Sequence, residues 1–268
     1  LHQMNKKNFD IYLDFGASKI SAAVFEKNEN NQIFFLENNC LTSLKSDQID
    51  LSTTDKVLEK TIREIEKKTG EYLNNINLML DSPDALSISL SVSRKNEKNF
   101  LLKEDIEYLI QDAKQQILSS HQDKNIIHIV INNYRINNID YDTLPSNIEC
   151  NKFSIDMIFI CFPKEIIKNL EKLFSKHQIL IDNFICISYA KSFFYKEHFS
   201  EFNQIVFLDI GYEKTSIIFY EEEKIKFFDI LPIGGHHITK DISKVLNISI
   251  ELSEKIKLNL NKDIIFSD

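Results

Sequence analysis

Asn203–Asp241 reads NQIVFLDIGYEKTSIIFYEEEKIKFFDILPIGGHHITKD and holds Asp209 with three of the chain's five glycines, Gly211, Gly234 and Gly235. A stretch beginning at Phe9, FDIYLDFGASKISAAVFEKNENNQIFFLEN, copies its first half. Asp14 matches Asp209, Gly16 matches Gly211, Lys19 matches Lys214 and Ser21 matches Ser216. In each copy one apolar run precedes Asp-x-Gly and another follows it. A polar, acidic turn comes next, Glu26 to Gln32 in one copy and Glu221 to Lys224 in the other, and a third apolar run closes the unit. Two strand–turn–strand–turn–strand units therefore stand far apart in one chain, a structural duplication.

Asp-x-Gly between two strands has a bland reading, an ordinary hairpin whose glycine takes a positive φ. The pair supports a sharper one. Two such hairpins from two lobes can face each other across a cleft and grip phosphate oxygens with their turn N–H groups. Asp14 and Asp209 would then hold Mg²⁺, largely through water, because Mg²⁺ keeps much of its hydration shell. Gly234-Gly235 before a helix offers another close approach of backbone to ligand.

The rest of the chain supplies a frame for these turns. Phe9–Leu13, Ile20–Phe25, Ile33–Leu36 and Ile76–Leu80 read as strands. A helix lies between the last two, capped by Thr53 or Thr54, with Leu58, Thr61, Ile62 and Ile65 on one face and Gly70 at its end. That order suggests a mixed sheet covered by helices. After Pro83 the texture changes. Leu86–Val92 alternates apolar and serine residues, Lys103–Leu118 is an amphipathic helix, and Ile126–Ile131 is a strand. Asn132–Ile148 is polar and turn-rich, and Phe153–Phe162 is a strand. This block is predicted to be an inserted unit touching the rest mainly through its two ends. Pro163 starts a helix, Ile179–Ile187 is extended, and a helix follows around Tyr189–Tyr195. Thr239–Leu246 and Ser249–Leu260 read as two more.

Composition narrows the classes. A 43% hydrophobic content over 268 residues supports a substantial core, and a net charge of −8 argues against nucleic acid, which needs a basic face. Cys40, Cys150, Cys161 and Cys186 stand far apart with no Cys-x-x-Cys, as buried free thiols of a reducing cytosol do. No stretch reads as a signal peptide or a bilayer-spanning run. The first methionine is Met4, after Leu1, so the chain reads as a fragment or as the translation of a partial gene. His236 and His237 are better explained by a helix start than by a metal, and His128 by packing within a strand. Glu221-Glu222-Glu223 reads as a solvated turn. No catalytic residue can be assigned from spacing.

The duplicated hairpins resemble the actin, Hsp70 and sugar-kinase superfamily. More narrowly, the chain is similar along nearly its whole length to the bacterial cell-division actin family FtsA. LDFGASKISAAVFE resembles that family's phosphate-1 motif, and LDIGYEKTSIIFY occupies the phosphate-2 position. LLKEDIEYLIQDAK followed by IIHIVINNYRINN resembles the helix and strand of its inserted subdomain 1C. KNLEKLFSKHQILIDNFICISYAKSFF resembles the return into the first lobe. LPIGGHHITKDISKVLNISIELSEKIK resembles the segment after phosphate 2.

The resemblance implies an α/β, actin-like (ribonuclease H-like) fold. Subdomain 1A would cover residues 8–85 and 163–202, and the inserted strand–helix–strand–strand subdomain 1C residues 86–162. Residues 203–268 would begin subdomain 2A, with 2B and the remainder of 2A lying beyond the chain. Nucleotide residues would be Asp14, Gly16, Ala17, Ser18 and Lys19, then Asp209, Gly211, Lys214 and Thr215, then Gly234 and Gly235. Glu254 and Lys257 would lie near the adenosine, or alternatively on a solvated helix face. The implied role is a polymerising, cytoplasmic protein at the inner face of the division septum, with ATP and Mg²⁺ as a mainly structural ligand. It would contact FtsZ and the membrane through regions missing here, and other divisome proteins through subdomain 1C. A scaffold like the pilus-assembly actin PilM is the alternative, and a sugar-kinase-type phosphotransferase the third reading. Departures from the family pattern bear on the ligand. Tyr212 and Glu213 stand where the family has glycines, Ser216 replaces an acidic residue, and the glycine-and-proline element of 1C is reduced to Leu144-Pro145-Ser146. Weak ATP–Mg²⁺ binding and negligible hydrolysis are expected.

Overall fold

The computed structural model of the chain describes residues 9–27, 31–40, 51–96, 100–145 and 148–259, with side chains of the first helix from residue 54. Three strands open it: β1 (Phe9–Phe15), β2 (Lys19–Glu26) and β3 (Gln32–Asn39), joined as antiparallel neighbours. Helix α1 (Leu51–Thr69) crosses to β4 (Asn75–Leu80), which pairs parallel with β1. β9 (Leu180–Cys186) pairs parallel with β4, giving a five-stranded sheet in the order β3-β2-β1-β4-β9. Leu13, Phe15, Ile20, Val24, Leu78 and Leu80 are fully enclosed at its centre. Helix α3 (Lys164–Ser175) follows Pro163, whose fixed φ suits the residue before a first turn. Its Phe174 meets Phe15 edge to face at 6.4 Å.

Helix α1 starts ahead of the expected cap. Thr54 is buried within it, so it is not the capping residue, and the Thr53 side chain lies outside the described residues. Ser146 and Leu260 also fall outside them.

Residues between β4 and α3 build a four-stranded sheet: β5 (Leu86–Lys95), β6 (Lys124–Ile136), β7 (Ile139–Tyr141) and β8 (Lys152–Pro163), in the order β5-β8-β6-β7. Helix α2 (Lys103–Ser120) lays Ile106, Leu109, Ala113 and Ile117 on one face of it. β6 runs past Ile131, and β7 adds a strand in the stretch expected to be turn-rich. Positive φ angles at Asn137 and Asn138 make the tight β6–β7 turn, which asparagine tolerates. This sheet also meets the rest of the molecule along its length, and not mainly at its ends. Ile158, Ile160 and Phe162 belong to the core of the first sheet. Midway along β6, the Asn132 amide donates to the Ile225 carbonyl at 2.8 Å and accepts from the Ile225 N–H at 3.2 Å.

Helix α4 (Ile187–His198) leads into the second repeat: β10 (Gln204–Ile210), β11 (Thr215–Glu221) and β12 (Lys224–Leu231), again antiparallel. Helices α5 (Gly235–Leu246) and α6 (Ile250–Asn259) follow. The duplication holds to the residue. Asp14 pairs with Ser21 as Asp209 pairs with Ser216, and β2 and β11 both slip register after the equivalent residues Val24 and Phe219.

The two copies bury opposite faces. Leu13 and Phe15 are 0% exposed, while their equivalents Leu208 and Ile210 are 59% and 67% exposed. The second sheet instead buries Ile218, Tyr220 and Ile225 in the shared core. Leu13→Ala should therefore cost about 2–5 kcal/mol, whereas the equivalent Leu208→Ala should cost less than about 1 kcal/mol. Urea unfolding of both variants checks this; equal losses would contradict the assignment of faces.

Candidate functional site: a cleft between two glycine hairpins

The hairpin turns close identically. The Gly16 N–H donates to the Lys19 carbonyl at 3.0 Å, and the Gly211 N–H to that of Lys214 at 2.8 Å. Neither glycine has a positive φ; among the described glycines only Gly70 does. Tight space, and not left-handed backbone, favours glycine at both. A Cβ on Gly16 would stand 3.0 Å from the Lys19 carbonyl oxygen, and one on Gly211 3.2 Å from that of Lys214.

Both turns line one cleft of about 300 Å³, with Asp14 and Asp209 in the same wall set. Gly16, Ala17, Ser18 and Lys19 come from one hairpin, and Gly211, Tyr212, Glu213 and Lys214 from the other. Outside the two hairpins, sequence reasoning missed three lining residues. Asp81 follows β4, and Ile187 and Lys191 lie on α4. An aspartate straight after an apolar strand is a weak signal for the first; helix α4 carries none for Lys191.

Asp81 is 2% exposed. Its Oδ1 accepts from the Ser188 N–H at 3.1 Å, the Ser188 hydroxyl at 2.8 Å and the Cys186 thiol at 3.2 Å. Its Oδ2 meets the Ser216 hydroxyl at 3.5 Å, and its backbone carbonyl accepts from Lys214 Nζ at 2.5 Å. Lys214 is thus turned across the cleft onto the first lobe. Burial pulls its pKa down, against the pull of the Asp81 and Asp14 charges. Burial, aided by the Asp81 charge, raises the Asp14 carboxyl to about 6, although Lys191 and Lys214 oppose the shift. Lys191 Nζ donates to Asp209 Oδ2 at 2.8 Å. Burial disfavours that ammonium, but its bond to Asp209 holds the pKa above the usual lysine value. Lys19 lines the cleft while its ammonium pairs with Glu37 at 2.7 Å.

Five expected ligand residues, Thr215, Gly234, Gly235, Glu254 and Lys257, are placed elsewhere. Thr215 donates to the Ile233 carbonyl at 2.6 Å. Gly234 packs on the second hairpin, where a Cβ would lie 2.6 Å from Gly211 O, Lys214 N and Tyr212 O. The Gly235 and His236 N–H groups donate to the Gly211 and Tyr212 carbonyls at 2.8 and 2.7 Å. The N-terminus of α5 is therefore closed by protein carbonyls, and these glycines serve backbone-to-backbone contact. On α6, Lys257 Nζ reaches Glu254 at 2.7 Å, Thr239 Oγ1 at 2.8 Å and the Gly235 carbonyl at 3.0 Å. Glu254 also accepts from the Thr239 hydroxyl, so this pair locks α6 to α5.

The minor candidates resolve locally. His237 Nδ1 accepts from the Gly234 N–H at 3.1 Å, and His236 stacks on Tyr212 at 4.6 Å. His128 Nε2 accepts from the Cys186 N–H at 2.9 Å, and burial lowers its pKa. Glu223 is not merely solvated: it pairs with the largely buried Lys196 at 2.8 Å. Cys40, Cys150, Cys161 and Cys186 are buried, and none of them forms a disulfide.

The cleft has groups suited to a polyphosphate. Among the described residues, no hydrogen bond occupies the backbone N–H of Ala17, Ser18, Tyr212 or Glu213. Amides of consecutive turn residues make anion-binding concavities. Asp14, destabilised as an anion, suits a nearby cation. No three His, Cys, Asp or Glu side chains among the described residues come together as direct metal ligands.

The family described as "Cell division protein FtsA" matches residues 206–264. The chain is 23% identical over 262 residues to the cell division protein FtsA of Streptococcus pneumoniae serotype 2, covering 96% of this chain and 56% of that protein. It is 22% identical over 268 residues to FtsA of Borreliella burgdorferi, covering 94% and 62%. The chain is FtsA-like. It spans roughly three fifths of the length of the curated relatives it matches. Among solved structures, the PilM–PilN type IV pilus biogenesis complex superposes with a TM-score of 0.68 at 13% identity, over 94% of this chain and 70% of that one. The ethanolamine utilization protein EutJ from Carboxydothermus hydrogenoformans superposes with a TM-score of 0.50 at 12% identity, over 94% and 62%. The α/β fold is actin-like.

Two substitutions test the site's construction. Gly234→Ala should cost about 1–3 kcal/mol, because the new Cβ meets only backbone. Gly235→Ala should be neutral or stabilising: its nearest neighbour is the flexible end of Lys257 at 3.5 Å, and alanine favours helix. Thermal unfolding of the pair checks the contrast. The second test is pH. Asp14 has a folded pKa of about 6 against an ordinary 3.8, so the folded state binds its proton more tightly. Its contribution to stability must then fall as pH rises from about 4 to about 6. Asp14→Asn should stabilise the chain at pH 7 by on the order of 1–2 kcal/mol and remove that part of the pH dependence. Denaturation at pH 4.5 and pH 7 reads the difference; a variant less stable at pH 7 would overturn it.

Proposed function

We propose that this chain is part of a cell-division actin that binds ATP with a hydrated Mg²⁺ between its two lobes, as a mainly structural ligand. The observation that carries the reading is the pair of matched glycine hairpins facing one cleft, each with unbonded turn amides. In this reading the Ala17, Ser18, Tyr212 and Glu213 amides receive phosphate oxygens. Asp14 and Asp209 orient the water shell of the cation, which would neutralise phosphate charge when bound. Gly16 and Gly211 keep each turn tight, while Lys214 and Ser216 fix the second turn against Asp81.

The likeness to FtsA proteins supports a reading of the partners. We assign residues 8–85 and 163–202 to subdomain 1A, 86–162 to subdomain 1C and 203–268 to the start of 2A. The assembly would form filaments at the inner face of the cell membrane and link FtsZ to the septal machinery, with subdomain 1C meeting other divisome proteins. FtsZ and membrane contacts would lie in parts of the protein outside this chain. Among the described residues, no helix is long and apolar enough to cross a membrane. The likeness to the PilM–PilN complex supports a second reading, a scaffold of a pilus-assembly machine. A fluorescent fusion of the complete protein separates the two, by recruitment to the division site or to a pilus machine.

Calorimetric titration of the chain with ATP and Mg²⁺ tests the ligand. Weak binding is expected, because Tyr212 and Glu213 carry side chains into the second turn and Glu213 sets a negative charge near the phosphates. Tyr212→Gly with Glu213→Gly should tighten it. Micromolar or better binding by the unmodified chain, unchanged in the double variant, would show that these side chains do not weaken the site.

A further inference from the structure

Three lysines line the cleft, and they are not equivalent. Lys19 is drawn out of it onto Glu37, on β3. Lys214 is fixed on the Asp81 carbonyl, with its ammonium buried. Of the three, Lys191 alone pairs with a carboxylate that lines the cleft, Asp209, at 2.8 Å. That pair is open to water, with side chains 48% and 39% exposed, so it binds weakly and can exchange partners. Both residues also line a neighbouring cavity of about 220 Å³, which leaves room to re-aim the ammonium. Four carboxylates, Asp14, Asp81, Asp209 and Glu213, face these cations. A polyphosphate entering such a cleft adds more negative charge than any one of them. The mobile cation must then move toward it, on a flexible four-carbon stem suited to the task.

We propose that Lys191 is a phosphate ligand of this cleft that leaves Asp209 when a polyphosphate enters, freeing Asp209 for the accompanying hydrated cation. The inference rests on the nucleotide reading above and adds to it the residue that couples phosphate to metal. In the absence of nucleotide, Lys191 serves as the counter-ion of Asp209 and so keeps a divalent cation from that carboxylate. Phosphate and metal then enter together.

Lys191→Met and Lys191→Arg in the 268-residue chain test it with two probes. The first is ATP with Mg²⁺, followed by calorimetry. Lys191→Met should weaken binding by roughly tenfold or more, and Lys191→Arg should retain most of it. The second is Mn²⁺ alone, followed by electron paramagnetic resonance. Removing the lysine should tighten Mn²⁺ binding, an effect a merely structural role would not produce. A melting temperature close to that of the unmodified chain confirms folding of each variant. Unchanged ATP affinity in Lys191→Met, or unchanged Mn²⁺ affinity, would overturn the inference and leave the nucleotide reading standing. Absence of ATP binding by the unmodified chain would overturn both.

Discussion

The carboxylate of Asp81 joins three segments that are distant in sequence: the end of β4, the β9–α4 junction and the β10–β11 hairpin. Taking a carboxylate out of water costs several kcal/mol unless its lone pairs are filled. Here Ser188 supplies two bonds, Cys186 a third and Ser216 a long fourth. Lys214 adds an ammonium at the neighbouring carbonyl. Only when the second hairpin docks on the first lobe are Ser216 and Lys214 delivered. The position of one hairpin turn relative to the other is thus set by the requirement that a buried charge be satisfied. Nonpolar packing of Ile218 and Tyr220 on the shared core supplies area, but area alone would tolerate sliding; hydrogen bonds of fixed length do not.

Much of this was legible because the duplication is a pattern of residue types. Apolar runs, Asp-x-Gly and an acidic turn recur at one offset, and the structure repeats them down to paired residues and a shared register slip. Helices α3 and α4 were legible from Pro163 and from apolar spacing. The reach of β6 was not, because Asn132 and Asn133 read as loop while one of them bonds across to β12. Asp81 and Lys191 were hidden because their roles depend on which chain segments fold against them, and no local pattern records that.

The glycines teach a related lesson. Gly-Gly before a helix suggests a ligand approaching backbone, and an approach does occur, but the visitor is the protein's own hairpin. The α5 amides that would greet an anion are taken by the Gly211 and Tyr212 carbonyls. The helix therefore braces the second turn from behind, and its positive end is felt at those carbonyls and not in the cleft. Thr239, Glu254 and Lys257 complete the brace by tying α6 to the same helix.

The reversed burial of the two copies has a consequence for the behaviour of the polypeptide in solution. Among the described residues β10 is an outer strand of its sheet, with β11 on one side, and Val206, Leu208 and Ile210 form an exposed apolar row along it. β1 has the same sequence pattern, yet it is enclosed and has β4 on its second side. An open strand with an apolar row is a template for other strands. The chain handled alone should therefore gather into aggregates as its concentration rises. In a cell, such a surface would be a point at which chaperones hold the chain until something covers it.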